Sequence, residues 1–83
     1  MRTSHALLLR LRHDAKFDFS KVSVEYVDRG APGDRSNVQG DRIRNLEQGG
    51  MQIESEKGET YIPFHRMRRI TYDGQIMWEK SEA

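Results

Sequence analysis

The strongest constraint on the fold of this chain is an Asp73-Gly74 pair between two segments rich in apolar and aromatic residues. An Asp-Gly dipeptide favours a two-residue hairpin turn, because both of its positions require positive φ. The turn predicts one register, with the pairs Tyr72–Gln75, Thr71–Ile76, Ile70–Met77, Arg69–Trp78 and Arg68–Glu79. Both faces of this hairpin are then partly apolar, so either the sheet curls into a small barrel or one face is a binding surface.

A short helix is predicted at the start of the chain. Leu7, Leu8 and Leu11 lie at helical spacing after Ser4, a residue type that favours the N-cap, which predicts a helix over residues 4–13. A helix of this length is unstable alone and must dock on the rest of the fold. Phe17 and Phe19 follow it, and we expect them to fill the seam between helix and sheet.

The middle of the chain alternates between strand patterns and turn signals. Residues 22–28 have period-two alternation and predict a strand, whereas the glycines and proline of residues 29–40 predict a loop. Asp41 then caps a predicted helical turn over residues 42–47, with Ile43 and Leu46 facing inward. Residues 51–55 and 60–62 predict two strands joined by a Lys57-Gly58 turn, and Pro63 ends the second.

These elements predict an α+β fold, in which the N-terminal helix packs on a curved antiparallel sheet of about four or five strands. A small SH3-like or Sm-like barrel is the alternative. The length of 83 residues permits one domain, spanning residues 1–83.

Composition narrows the function. There are 14 Lys and Arg against 13 Asp and Glu, so a nucleic-acid site must be a local patch and not a bulk basic surface. The absence of Cys excludes thiolate zinc sites and fits a cytoplasmic protein. Arg10 interrupts the Leu7–Leu9 run, and we expect neither a targeting segment nor a membrane span.

The first candidate binding cluster is residues 65–69. Arg66, Arg68 and Arg69 lie within four positions beside His65, and a guanidinium presents a planar fork of donors to phosphate oxygens. A structural interpretation competes with this one: Arg68 would pair with Glu79 while Arg69 stacks on Trp78.

Two further segments contain groups that could bind an anion. Arg12 and His13 end the predicted helix, where the helix dipole favours cations and where they also suit an anion site. The Asp28–Arg35 loop contains glycines whose amides can approach an oxyanion, but a plain turn is the simpler interpretation.

Catalysis is not predicted. His13 and His65 lack the hydroxyl residue two places later that a two-histidine phosphoesterase requires, and the sequence has no zinc-ligand spacing. We therefore expect no catalytic residue, metal or cofactor.

Four segments together resemble one small archaeal family. They are residues 12–14, residues 25–34, the Tyr61–Ile70 stretch with Ile-Pro-Phe-His-Arg, and residues 72–78. The chain resembles the RNA cyclic-group end recognition domain family from about Leu7 to Lys80. Met67 and Met77 replace expected branched aliphatics, and Ala15 replaces a common proline.

The resemblance implies a non-catalytic module that binds RNA ends carrying a 2′,3′-cyclic phosphate in RNA repair or processing. The implied partners are RNA with phosphate-bearing 3′ ends and RNA-processing proteins, with no membrane. Residues expected at the RNA and phosphate site are Arg12, His13, Tyr26, Arg29, His65, Arg66, Arg68, Arg69 and Trp78. The alternatives are a protein-interaction module that docks a partner on its Trp78 face and a phosphoesterase that uses His13 and His65.

Overall fold

The predicted alternating segment forms one of the two inner strands of the larger of two sheets. The computed structural model describes residues 3–56 and 58–80, and its strand β1 spans Val22–Val27. Val22, Val24 and Tyr26 are buried, because alternate side chains of a strand share one face. This confirms the predicted strand and its core face.

Seven strands in the described residues form two antiparallel sheets. The others are β2 Arg35–Gln39, β3 Ile43–Leu46, β4 Gly50–Ser55, β5 Gly58–Pro63, β6 Met67–Tyr72 and β7 Gln75–Glu79. The larger sheet has the order β2-β1-β6-β7 and the smaller has β3-β4-β5. The α+β class is confirmed, but the prediction of one sheet with four or five strands is wrong. The small-barrel alternative stays a prediction.

Helix α1 spans Thr3–His13 and supplies part of the shared core. Leu8 and Leu11 are fully buried, together with core residues of both sheets. Phe17 and Phe19 are half-buried against the same core, as predicted. Ser4 does not cap the helix, because it lies inside it and is buried.

Two segments predicted as non-strand are strands. Strand β2 lies in the predicted loop, and it was missed because Val38 is its one buried apolar residue. Strand β3 replaces the predicted helical turn over residues 42–47. Its pairing with β4 shifts register between Ile43 and Asn45, and the extra residue lets Ile43 and Leu46, three positions apart, both face the core.

The final hairpin has the predicted turn but a different register beyond its second pair. Tyr72–Gln75 and Thr71–Ile76 are confirmed, after which a bulge at Met77 shifts the pairing. The observed pairs are Ile70–Trp78 and Arg69–Glu79, so the predicted pairs Ile70–Met77, Arg69–Trp78 and Arg68–Glu79 are wrong. The shift turns Trp78 toward the core and leaves Ile76 and Met77 exposed.

The other predicted hairpin is partly confirmed. Strands β4 and β5 lie where expected, and β5 ends at Pro63. Gly58 belongs to β5 and pairs with Ser55, whereas Lys57 lies outside the described residues.

Replacing Gly74 by Val should destabilise the fold by roughly 1–3 kcal/mol, because Gly74 has φ of 85°. A Cβ there meets no atom within 4 Å, so the penalty is conformational and not steric. We expect a fall in melting temperature, with Gly74→Asn as the matched control because Asn tolerates positive φ. Equal melting temperatures for the Val and Asn variants would contradict this assignment.

Candidate nucleic-acid interface

Four chain segments meet at one edge of the larger sheet. Strand β1 ends there at Val27, which pairs with Arg35 at the start of β2. Tyr26 pairs with Met67, so β6 starts beside the end of β1. Strand β7 ends at Glu79, opposite Arg69 near the start of β6. Any residue just beyond these strand ends therefore lies at the same edge.

The cationic residues at this edge are named here the basic edge. Its members are Arg29, His65, Arg66, Arg68 and Lys80. The loop that leads into β2 brings two carboxylates, Asp28 and Asp34, to the same end. Four formally cationic side chains and one imidazole thus accompany two carboxylates, which gives a locally basic end in a chain whose net charge is +1.

A single 3₁₀ turn, Phe64–Arg66, presents two members of the basic edge. Pro63 precedes it with φ of −62°, and the buried Phe64 ring anchors it. The amide of Phe64 donates to the carbonyl of Gly49 at 3.0 Å. Since Phe64 points inward, His65 and Arg66 are held at the surface, and both are exposed.

His5 supports this turn from helix α1. Its ring stacks on Phe64 with 4.6 Å between centroids, and the residue is only 7% exposed. The beginning of α1 is therefore packed directly beneath the turn. No local pattern points to His5, since its contact with Phe64 joins residues far apart in the chain.

Lys80 joins the basic edge through two contacts. Its Nζ donates to the carbonyl of His65 at 2.9 Å, and its amide donates to the carbonyl of Arg68 at 2.8 Å. The sequence interpretation missed Lys80, because the unrecognised bulge at Met77 displaces every later residue of β7 by one position. An ammonium has three donors, so the contact to His65 leaves Lys80 with further donor capacity.

The loop after β1 is closed by its own carboxylates. Asp28 Oδ2 accepts from Ser36 Oγ at 2.6 Å, and Asp34 Oδ1 accepts from the amide of Gly30 at 3.2 Å. The amide of Asp28 donates to the carbonyl of Asp34 at 2.8 Å. The Gly30 amide is thus used inside the loop, which favours the turn interpretation. Arg29 is exposed between these fixed carboxylates.

Tyr26 lies behind the loop and is only 7% exposed. Burial raises the pKa of its phenol above 10.0, and the nearby Asp28 carboxylate raises it further, whereas a hydrogen bond with Ser36 opposes them. The phenol therefore stays protonated at neutral pH. Tyr26, which the sequence analysis expects at the RNA and phosphate site, therefore belongs to the hydrophobic core.

Arg69 is engaged in ion pairs on the outer face of the sheet. Its Nη2 lies 2.6 Å from Glu79 Oε2, and its Nε lies 4.0 Å from Glu25. Glu25 also pairs with Arg35 at 3.8 Å. This network balances two arginines with two glutamates. Glu79 therefore pairs with Arg69, the residue that the structural interpretation placed on Trp78.

Arg12 and His13 lie near the opposite end of the larger sheet. The Arg12 guanidinium lies 5.7 Å from the ring centroid of Phe19, and its Nη2 donates to the carbonyl of Arg44 at 3.1 Å. Phe19 begins the 3₁₀ turn just before β1, whereas the basic edge follows the end of β1. The six residues of β1 place these ends about 16 Å apart.

The predicted site residues thus divide into three groups. Arg29, His65, Arg66 and Arg68 lie at the basic edge. Arg12 and His13 lie toward the other end, and Tyr26, Arg69 and Trp78 have contacts within the fold. Arg68 is the bulged residue of β6, because Tyr26 pairs with Met67 and Glu25 with Arg69.

Within residues 3–56 and 58–80, no helix is long and apolar enough to cross a membrane. The same residues contain no group of three or more His, Asp or Glu side chains placed to hold a metal ion.

The fold and the basic edge define a small α+β protein with a cluster of cationic groups at one end of its larger sheet. The chain belongs to the family described as the MJ1316 RNA cyclic group end recognition domain, which matches residues 1–80. The resemblance noted in the sequence is therefore confirmed.

Three archaeal relatives carry the name UPF0248 protein. The protein from Archaeoglobus fulgidus is 38% identical over 71 residues, which cover 86% of this chain and 96% of the relative. That from Pyrobaculum calidifontis is 34% identical over 72 residues, covering 86% and 94%. That from Thermococcus gammatolerans is 32% identical over 75 residues, covering 89% and 84%. No solved structure matches the chain significantly.

Ionisation of Tyr26 should weaken the fold at alkaline pH. Since its pKa is raised in the folded state, the stabilisation is complete below the unfolded value of about 10 and is lost as the pH rises through the folded value. Urea unfolding at neutral and alkaline pH should show a smaller loss of stability for Tyr26→Phe than for the unmodified protein. Identical losses would contradict the raised pKa.

Proposed function

We propose that this protein is a non-catalytic module that binds RNA ends carrying a 2′,3′-cyclic phosphate. The observation that carries the proposal is the basic edge, in a chain whose family is described by recognition of RNA cyclic-group ends. The proposed contacts come from Arg66, Arg29 and Lys80, with His65 as a further donor. RNA processing or repair is the setting that such an end implies.

The chemistry of the ligand fits a small cluster of donors. A cyclic phosphodiester carries one negative charge fixed to its ribose, so its recognition needs few cations held in place. A guanidinium offers two parallel donors to phosphate oxygens, and an ammonium offers a compact charge. The turn Phe64–Arg66 supplies such fixed placement, because Phe64 is buried beneath it.

The arrangement of the histidines favours binding over catalysis. A two-histidine phosphoesterase needs both imidazoles at one phosphate, since one acts as base and the other as acid. His13 ends α1 beside Arg12, toward the start of β1, whereas His65 lies beyond its end. The separation of about one strand length supports a module that holds the RNA end without converting it.

The decisive experiment compares one oligonucleotide with different 3′ ends. Binding of the protein to RNA ending in a 2′,3′-cyclic phosphate, a 3′-phosphate or a 3′-hydroxyl is measured at one salt concentration. We expect the tightest binding for the cyclic end and an unchanged oligonucleotide mass afterwards. Equal binding of all three would leave only general backbone contacts, which depend on salt and not on the end. A ring-opened product would instead identify an enzyme.

Replacing Arg66 by Ala should weaken binding of the cyclic end by roughly 1.5–3 kcal/mol, as expected for charge-assisted hydrogen bonds. Because Arg66 is exposed, its loss should leave the melting temperature almost unchanged. The matched control is Arg42→Ala, since Arg42 is also the exposed third residue of a 3₁₀ turn. That turn follows β2 at the opposite end of the larger sheet. Equal losses for both variants would show that the basic edge is not the binding site.

A further inference from the structure

The outer face of the smaller sheet carries a row of three side chains that the basic edge does not use. Asn45 pairs with Gln52, and Gln52 pairs with Tyr61, so the three residues lie side by side across β3, β4 and β5. Their neighbours Met51 and Ile62 are buried. Because alternate residues face opposite sides, the row faces away from the core.

The Tyr61 side chain packs on the backbone of Gly49 and Gly50, which have no side chains to obstruct it. A Cβ at Gly50 would lie 2.7 Å from Cζ of Tyr61, and a Cβ at Gly49 would lie 2.9 Å from its hydroxyl. The glycine pair therefore provides the space that the ring occupies. The residue nevertheless remains 44% exposed, so part of its side chain is open to solvent.

The neighbours of the ring can form hydrogen bonds with the edge of a flat heterocycle. The amides of Asn45 and Gln52 each offer donors and an acceptor. Strands lie about 4.8 Å apart, which places these amides within one or two strand widths of the ring. An exposed aromatic ring beside amide side chains is a typical arrangement for stacking and reading an unpaired nucleobase.

A short segment of chain connects this surface to the basic edge. Gly49, beneath the Tyr61 hydroxyl, accepts the amide hydrogen bond of Phe64, whose turn carries His65. Tyr61 and His65 are four positions apart in the chain, so their Cα atoms lie at most about 14 Å apart. A nucleotide near the end of a strand can reach the ring while its terminal phosphate lies at the basic edge.

The carboxylates on the outer face of the smaller sheet favour one side of Tyr61 for an RNA strand. Glu54 lies opposite Glu59 in the β4–β5 register, at the far end of the two strands and next to the paired residues Ser55 and Gly58. Arg44 donates a hydrogen bond to Glu54, but Glu59 adds a second carboxylate on this face. Since carboxylates repel phosphates, an RNA strand is favoured on the side of Tyr61 that leads toward His65.

We propose that Tyr61, with Gln52 and Asn45, forms a nucleobase-stacking subsite for an unpaired nucleotide next to the bound RNA end. The inference rests on the proposed function for the position of that end. It adds a requirement for single-stranded RNA with a base at the position adjacent to the phosphate site.

The test uses the full chain and a short single-stranded RNA ending in a 2′,3′-cyclic phosphate. Tyr61→Ala should weaken binding by about 5-fold to 150-fold, the range expected for loss of one base–aromatic stack. Tyr61→Phe keeps the ring and should bind within about 2-fold of the unmodified protein. Ile76→Ala is the control, because Ile76 is an exposed apolar residue of the other sheet and should leave binding unchanged.

The stacking subsite can also be tested by changing the RNA and leaving the protein unmodified. RNA carrying an abasic residue near its cyclic end should bind the unmodified protein as weakly as complete RNA binds Tyr61→Ala. The abasic substitution should have no further effect on that variant, because the stacking partner is already absent. Additive losses would overturn the proposal, as would equal binding of Tyr61→Ala and the unmodified protein to complete RNA.

These outcomes separate the subsite from the proposed function. Preference for the cyclic end without any effect of Tyr61→Ala refutes the stacking subsite and leaves end recognition intact. Dependence on Tyr61 and on the base, without preference for the cyclic end, supports the subsite and refutes end recognition. Absence of RNA binding refutes both.

Discussion

The antiparallel pairing of β1 with β6 is the constraint on which the rest of the structure depends. It places the end of β1 beside the start of β6, and therefore brings the loop after Asp28 to the turn that carries His65 and Arg66. The bulge at Arg68 lets Met67 and Ile70 both enter the core although they are three positions apart. Without this extra residue, one of these two apolar side chains would point to solvent.

Helix α1 connects the two ends of this arrangement. Near its start, His5 stacks on Phe64 beneath the basic edge, and near its end the Arg12 guanidinium lies over Phe19. Leu8 and Leu11 pack between these contacts in the shared core. A helix of this length is marginal alone, so it gains order by docking. Its docking contacts support the two 3₁₀ turns that begin at Phe19 and Phe64.

Local patterns in the sequence predicted the elements whose signals are local. The alternation in β1 and the Asp73-Gly74 turn were found because periodicity and positive φ are encoded by adjacent residues. Strand β2 was missed, since a strand that contributes one buried apolar side chain has almost no periodic pattern. Its place beside β1 is fixed by hydrogen bonds to a strand elsewhere in the chain, which no local pattern encodes.

In the candidate site, too, the features encoded by adjacent residues were predicted and those that depend on distant contacts were not. His65 and Arg66 were recognised from their residue types, and their exposure follows from the local sequence Pro63-Phe64. Lys80 was not recognised, and Arg69 was assigned the wrong partner, because bulges move register by one residue. A bulge reflects which side chains the core accepts and is therefore decided by tertiary packing.

The distribution of charge explains how a nearly neutral chain can hold a basic site. On the outer face of the larger sheet, Arg35 and Arg69 are balanced by Glu25 and Glu79, so that face contributes little net field. The carboxylates near Arg29 accept hydrogen bonds within their own loop and stabilise its shape. The ends of β1 and β7 bring Arg29 and Lys80 beside the sequence cluster of His65, Arg66 and Arg68. Selectivity in such a site depends on fixed geometry, because a few oriented donors distinguish one compact anion from a general polyanion.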